Sequence, residues 1–196
     1  MAKSDAKSSG LRARKQAETR ARLTEMALRL FVAKGFDAVT LDEIAEAAGI
    51  SRRTFFHYFE SKEDLAFAWL DASTDAMVAA VAMQPKGLSL LDMATNAILS
   101  CLGTPLPRAE AFALARLVNE TPALRGRSQM KYERLERALA DALTERKGLR
   151  QGDLKARLAA MTAAGTLRVA SQRWYESGGK EEMAGFARRV VKALGG

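Results

Sequence analysis

The stretch from Thr40 to Leu65, TLDEIAEAAGISRRTFFHYFESKEDL, constrains the fold more than any other part of this 196-residue chain. Two short helix signals flank a glycine turn within it, the spacing of a helix-turn-helix reader of DNA. Thr40 has the hydroxyl of an N-cap, and Glu43 stands at the position that completes a capping box. Leu41, Ile44, Ala45 and Ala48 then fall on one helical face. Gly49 supplies the left-handed backbone that ends this helix, and Ile50 gives the turn an apolar plug. Ser51 caps the next helix.

On that second helix Phe55 and Phe59 are four residues apart and are expected to pack inward. This turns Arg52, Arg53 and His57 to the open side, with Phe56 beside them. An arginine there can reach the major groove, where guanidinium pairs bidentately with guanine O6 and N7. For His57 the competing reading is a surface histidine touching only phosphate or water, and for Tyr58 a packing residue with its hydroxyl in solvent. Ser61 starts a third helix with Lys62 at its mouth, where free N–H groups also attract phosphate.

Thr40, Ile44, Ala45, Gly49, Ser51, Thr54, Phe55, Tyr58, Phe59, Ser61, Lys62 and Leu65 together give this stretch a pattern that resembles the TetR family of bacterial transcriptional regulators. The match covers about the first third of the chain; the remainder agrees in length and helical character. Phe56 departs from it, standing where the family usually has a tyrosine whose hydroxyl touches a phosphate. The resemblance implies base contacts from Arg52, Arg53 and His57, backbone contacts from Thr40, Thr54, Tyr58 and Lys62, and a DNA-side position for Ser51. It implies an all-α fold of about nine helices, and a homodimer whose last two helices form a four-helix interface. Such a dimer would place two heads about 34 Å apart in successive major grooves and read a near-palindromic operator in double-stranded DNA.

Net charge is +8 and the sequence pI about 9.9, which favours a polyanionic partner. Cys101 is the only cysteine, so no intrachain disulfide is possible and a reducing cytoplasm is the expected compartment. His57 is the only histidine, which disfavours metal sites built on histidine pairs. No cofactor is expected. Paired carboxylates, a glycine-rich phosphate loop and a Ser/His/Asp set are missing in credible context, so an enzyme is disfavoured. No long uncharged apolar run or signal peptide is read, hence no membrane span.

Residues 1–10, rich in Lys, Ser and Ala, read as a flexible basic tail. Arg12, Arg14, Lys15, Arg20 and Arg22 follow as a basic arm, read either as a phosphate or minor-groove contact or as a solvated helix start. Residues 11–60 form the expected DNA-binding domain and 61–196 a helical effector-binding and dimerisation domain. Helices are expected over about 11–34, 61–83, 89–102, 108–120, 121–146, 153–176 and 180–194, besides the two in the reader. The run 103–107 reads as a firm loop.

The second domain carries scattered Met and aromatic residues among many alanines, a pattern that serves a core as well as a pocket. The family resemblance implies a small-molecule effector, apolar or amphipathic, between these helices. The candidate lining is Trp69, Met77, Asn96, Phe112, Arg116, Asn119, Met161 and Arg168, each of which could equally face elsewhere. The 121–125 segment and the run Gln172-Arg173-Trp174-Tyr175 look similar to a subgroup with acyl-coenzyme A thioester ligands, whose phosphates arginines would hold. Ala159, Ala160, Ala163, Ala164 and Gly165 are small enough to let another helix approach, either across a dimer or within the monomer. Met183, Phe186, Val190 and Leu194 offer a second apolar face. The reading is therefore a ligand-released homodimeric repressor. An activator, or a basic helical module on a membrane surface or protein partner, is the alternative.

Overall fold

The computed structural model describes residues 2–102 and 108–194, and their side chains outside 2–13 and 69–70. The expected loop at 103–107 and the side chains of Arg12 and Trp69 lie outside the described residues. Nine α-helices and no strand occur among the described residues. The chain divides into two compact units, residues 1–69 and 70–196.

The first unit opens with α1 (Ala2–Lys34). Residues 2–10, expected as a tail, continue this helix instead. They contain no proline, and Gly10 alone costs about 1 kcal/mol against a run of otherwise tolerant residues. The arm is consequently a helix face. Arg14 pairs with Glu18 at 2.9 Å, one turn on.

Gly35, at φ +86°, ends α1 and sends the chain through Phe36 and Val39 into α2 (Leu41–Ala47). The capping box forms as read: Thr40 Oγ1 accepts from the Glu43 N–H, and Glu43 accepts from the Thr40 N–H at 2.8 Å. Gly49 closes α2 at φ +67°, with the Ile50 N–H bonded to the Ala45 carbonyl and its own N–H to that of Glu46. These two bonds are a Schellman closure, which needs the left-handed residue that glycine supplies without strain. Ser51 then caps the single turn α3 (Arg52–Phe55) by accepting from the Thr54 N–H.

Leu23, Ala27, Phe31, Phe36, Val39, Ile44, Phe55 and Phe59 are buried and form the core of this unit. α4 (Lys62–Ala82) follows, and Leu65, Ala66 and Phe67 in its first turns are buried as well. The head thus runs past the expected boundary at 60.

The second unit holds the rest of α4, then α5 (Leu90–Cys101), α6 (Arg108–Glu120), α7 (Pro122–Lys147), α8 (Leu154–Glu176) and α9 (Met183–Lys192). Met77 and Val81 of α4, Met93 and Ile98 of α5, Leu135, Leu139 and Leu143 of α7 and the alanines of α8 share one core. Ala159, Ala160, Ala163 and Ala164 therefore serve the monomer's own packing, where small side chains let α8 lie close to its neighbours. The end of α7 ties down the α4–α5 turn: Arg146 donates to the Gln84 carbonyl at 2.6 Å, and Lys147 to those of Lys86 and Leu88.

α6 is fixed to the α8–α9 corner. Phe112 meets Trp174 edge-on at 5.6 Å and stacks on Tyr175 at 6.1 Å, while Arg108 donates to the Lys180 carbonyl. Trp174 Nε1 donates to the Glu181 carbonyl, which holds 180–182 out of α9 and shortens that helix against expectation. By length and composition alone α4 is apolar enough to cross a membrane, although the run is not uncharged. Its Asp71 and Asp75 are both ion-paired to Arg134 of α7, and Met77 and Val81 lie in the shared core, so α4 is a helix of this bundle.

Candidate nucleic-acid interface

The open side of α3 and of the turn that follows it carries Arg52, Arg53, Phe56 and His57, all exposed. Beneath them Phe55 and Phe59 are buried with ring centroids 6.0 Å apart, as their spacing requires. The side chains of Arg53 and His57 make no hydrogen bond or ion pair among the described residues and are available to a ligand. Arg52 is not equally available. Its Nη1 is 3.0 Å from Asp42 of α2, and its guanidinium stands 6.0 Å from the Phe56 ring centroid. At more than half exposed on both sides the pair is weak, and a guanine can compete for it.

The hydroxyls at the helix mouths work as caps. Ser51 Oγ and Thr54 Oγ1 are 2.8 Å apart, and Thr40 Oγ1 is 3.1 Å from the Glu43 carboxylate. Lys34 donates to Glu43 at 2.7 Å and, with the Thr40 backbone and hydroxyl, holds that carboxyl down at about 2. A carboxylate kept charged at the start of α2 also complements the helix dipole.

Lys62, expected as a phosphate contact, is bonded within the head in the unbound protein. Its ammonium donates to the carbonyls of Phe36 at 2.9 Å, Val39 at 3.3 Å and Asp37 at 3.4 Å, and lies 4.6 Å from the Phe36 ring centroid. An ammonium has three donors, and here all three face the α1–α2 turn. Arg20, read as part of the arm, is the second lock: it donates to the Tyr58 carbonyl at 3.0 Å and covers the Phe59 ring at 4.3 Å. Tyr58 itself is half-buried, between its two expected readings. Neither lock has a local sequence signal, since each joins residues 23 to 38 positions apart.

Seven of the eight candidate effector residues have described side chains. Met77 is core; Phe112 is packed on the α8–α9 corner; Asn119 bonds back to the Ala115 carbonyl of its own helix; Arg116 is exposed 3.8 Å from Glu120. Asn96, Met161 and Arg168 are exposed, and Trp69 lies outside the described side chains. A cavity of about 10 Å³ between α5, α8 and α9, bordered by Thr95, Ile98 and Val191, has room for one water at most. Sequence reasoning missed the polar group inside the second unit that is most perturbed. Lys131 of α7 keeps partial solvent contact but is densely surrounded, and desolvation draws its ammonium down to about 8, opposed by Asp71. Next to it, burial raises the Tyr132 hydroxyl, opposed by a hydrogen bond with Ser171.

A capped helix, a glycine turn and a second helix with two arginines and a histidine on its open side define a helix-turn-helix protein. Residues 23–69 match the family described as bacterial regulatory proteins, tetR family, and residues 88–195 match the MftR C-terminal domain. The chain is 34% identical to the transcriptional regulator TcmR of Streptomyces glaucescens over 85% of its length and 77% of that protein. It is 31% identical to MftR of Mycobacterium tuberculosis, named for regulation of mycofactocin biosynthesis, over 92% of each. Thermus thermophilus FadR, solved with lauroyl-CoA, shares the fold at a TM-score of 0.55 and 23% identity over 89% of this chain and 92% of that one. The protein belongs to the TetR family of DNA-binding transcriptional regulators, which are not enzymes.

Proposed function

We propose that the protein acts as a homodimeric cytoplasmic repressor that leaves a near-palindromic operator when a small apolar or amphipathic effector binds its second unit. The observation that carries this is an unpartnered apolar stripe on α8. Leu154, Leu158, Met161 and Val169 are spaced four, three and eight residues apart and are 69%, 49%, 49% and 47% exposed. They are the face opposite the buried alanines, and Gly165 on the same stripe has open space where a side chain would stand. A second copy of α8 about a two-fold axis would cover such a stripe with itself, whereas solvent leaves it costly. This moves the dimer contact from the small residues of α8 to its large ones.

Two-fold pairing presents two reading heads, and the operator then repeats with opposite sense. Arg53 and His57 are the base-reading pair in this account, with Arg52 joining when guanine displaces Asp42. An acyl-CoA thioester is the first effector class to try, because Thermus thermophilus FadR, of the same fold, was solved in complex with lauroyl-CoA. Effector and operator must then weaken each other equally.

The test is fluorescence anisotropy with the DNA flanking the protein's own gene against scrambled DNA, over a salt series, with Arg53→Ala and with lauroyl-CoA. Selective binding that Arg53→Ala weakens at least tenfold, and that lauroyl-CoA releases, is the expected result. Sequence-blind binding that vanishes with salt would overturn the operator reading. Selective binding indifferent to a series of acyl-CoA lengths would overturn the effector class alone.

A further inference from the structure

Phe56 is the only exposed large hydrophobic side chain of the head among the described residues, at 48%. It is held rather than loose. Its ring meets the fully buried Phe55 edge-on at 5.5 Å and 87°, and in the unbound protein the Arg52 guanidinium, paired with Asp42, stands 6.0 Å from its centroid. The backbone at Phe56 is helical, at φ −66° and ψ −9°, so the ring shares the open side of α3 with Arg53 and His57. A rigid apolar ring left in water in the middle of a polar reading face costs free energy in the unbound protein. Without a hydroxyl it can donate nothing to a phosphate, so the contact it is built for is apolar.

The major groove offers one apolar feature on the base edges, the C5-methyl group of thymine. We propose that Phe56 packs on a thymine methyl and makes the protein select thymine at one position in each half-site, beside the guanine read by Arg53. The proposal rests on the DNA-reading function above. Guanidinium contacts distinguish guanine from the other bases but say nothing about A·T against T·A; a methyl contact supplies that missing discrimination. The fully buried Phe55 fixes the ring's position through their edge-on contact, which stays in place whether or not Arg52 leaves Asp42.

The experiment selects binding sites from a randomised duplex pool with the full-length protein and with Phe56→Ala. On the best wild-type site each thymine is then replaced singly by deoxyuridine, which removes only the methyl. One thymine per half-site is expected where this change weakens wild-type binding about three- to tenfold, and where Phe56→Ala is indifferent to it. Phe56→Leu, which keeps an apolar contact, is expected to retain part of the effect. Because Phe56 is half exposed, its truncation leaves no internal cavity, and a melting curve identical to wild type confirms that the head is intact. A selected site with no methyl-sensitive thymine, or one whose sensitivity survives in Phe56→Ala, would overturn the proposal while leaving DNA reading in place. Selection that enriches no sequence at all would instead remove the operator reading, and this inference with it.

Discussion

The bonds inside the first unit differ in reach from those inside the second. In the head the devices that set the geometry of α2 and α3 are three residues long: Glu43 to Thr40, Thr54 to Ser51, and the Gly49 turn between them. In the second unit the decisive contacts join residues roughly sixty positions apart, such as Arg146 to Gln84 and Lys147 to Leu88, together with Phe112 on the Gly178-Gly179 corner. A surface made by local devices has its shape written beside it in the sequence. A pocket between helices takes its shape from register choices that only the assembled core decides.

The strongest way to probe this difference is Gly179→Ala. A Cβ on Gly179 would stand 2.4 Å from Phe112 Cδ2 and 2.7 Å from Cγ, and the backbone there is already at φ +62°. Both a clash and a strained conformation follow, so a loss of about 2 to 4 kcal/mol of stability is expected. Native-state hydrogen exchange should show amides of α6, α8 and α9 losing protection while those of α1 to α3 keep theirs. A double-mutant cycle isolates the clash: Gly179→Ala should cost less stability in a Phe112→Ala background than in the wild type, because the ring it would strike is gone while the strain remains. Equal loss of protection in both units would mean they unfold as one, and the contrast drawn here would fail.

Lys62→Met sharpens the contrast from the other side. If the three carbonyls are its partners, the variant lowers head stability by about 2 kcal/mol and weakens binding to all DNA sequences alike. If Lys62 leaves the turn for a phosphate, melting stays unchanged and the salt dependence of binding becomes shallower by about one counterion. The two outcomes exclude each other.

What could be read from sequence follows the same division. Thr40, Glu43, Gly49 and Ser51 were legible because capping and left-handed turns have fixed residue types at fixed offsets. The bounds of α5, α6, α7 and α8 were legible to within a residue because proline, glycine and N-cap residues mark them. The pairing of Arg52 with Asp42 was not, since it depends on how α2 crosses α3. Nor was the fate of the α8 alanines: periodicity shows that they share a face, but either a neighbouring helix or a second copy could cover it. Phe112 packs on Trp174 and Tyr175 and Asn119 bonds back to its own helix, contacts that composition does not foretell, because Met, Phe and Asn serve a core and a ligand site alike. Lys131 was passed over because a lysine in a basic helix looks solvated until its surroundings are known.

Lys131 also gives the smallest and most specific expected effect, one confined to the second unit. Its folded pKa of about 8 lies below the unfolded value of 10.5. Between those limits the unfolded chain binds the proton that the folded chain has released, so unfolding takes up protons and stability rises with pH. Below about pH 8 both states carry the charge and the folded state bears its desolvation cost in full. The group keeps partial solvent contact, which reduces the contribution to about 1 kcal/mol. Other lysines and Tyr132 titrate in the same range, so the quantity to measure is the difference between wild type and Lys131→Met in chemical denaturation from pH 7 to 10.5. The variant should be the more stable by about 1 kcal/mol at pH 7, with the advantage shrinking as pH rises past 8. An advantage independent of pH would mean that the gain comes from packing and that the ammonium is fully solvated, while a less stable variant at pH 7 would show that Asp71 outweighs desolvation.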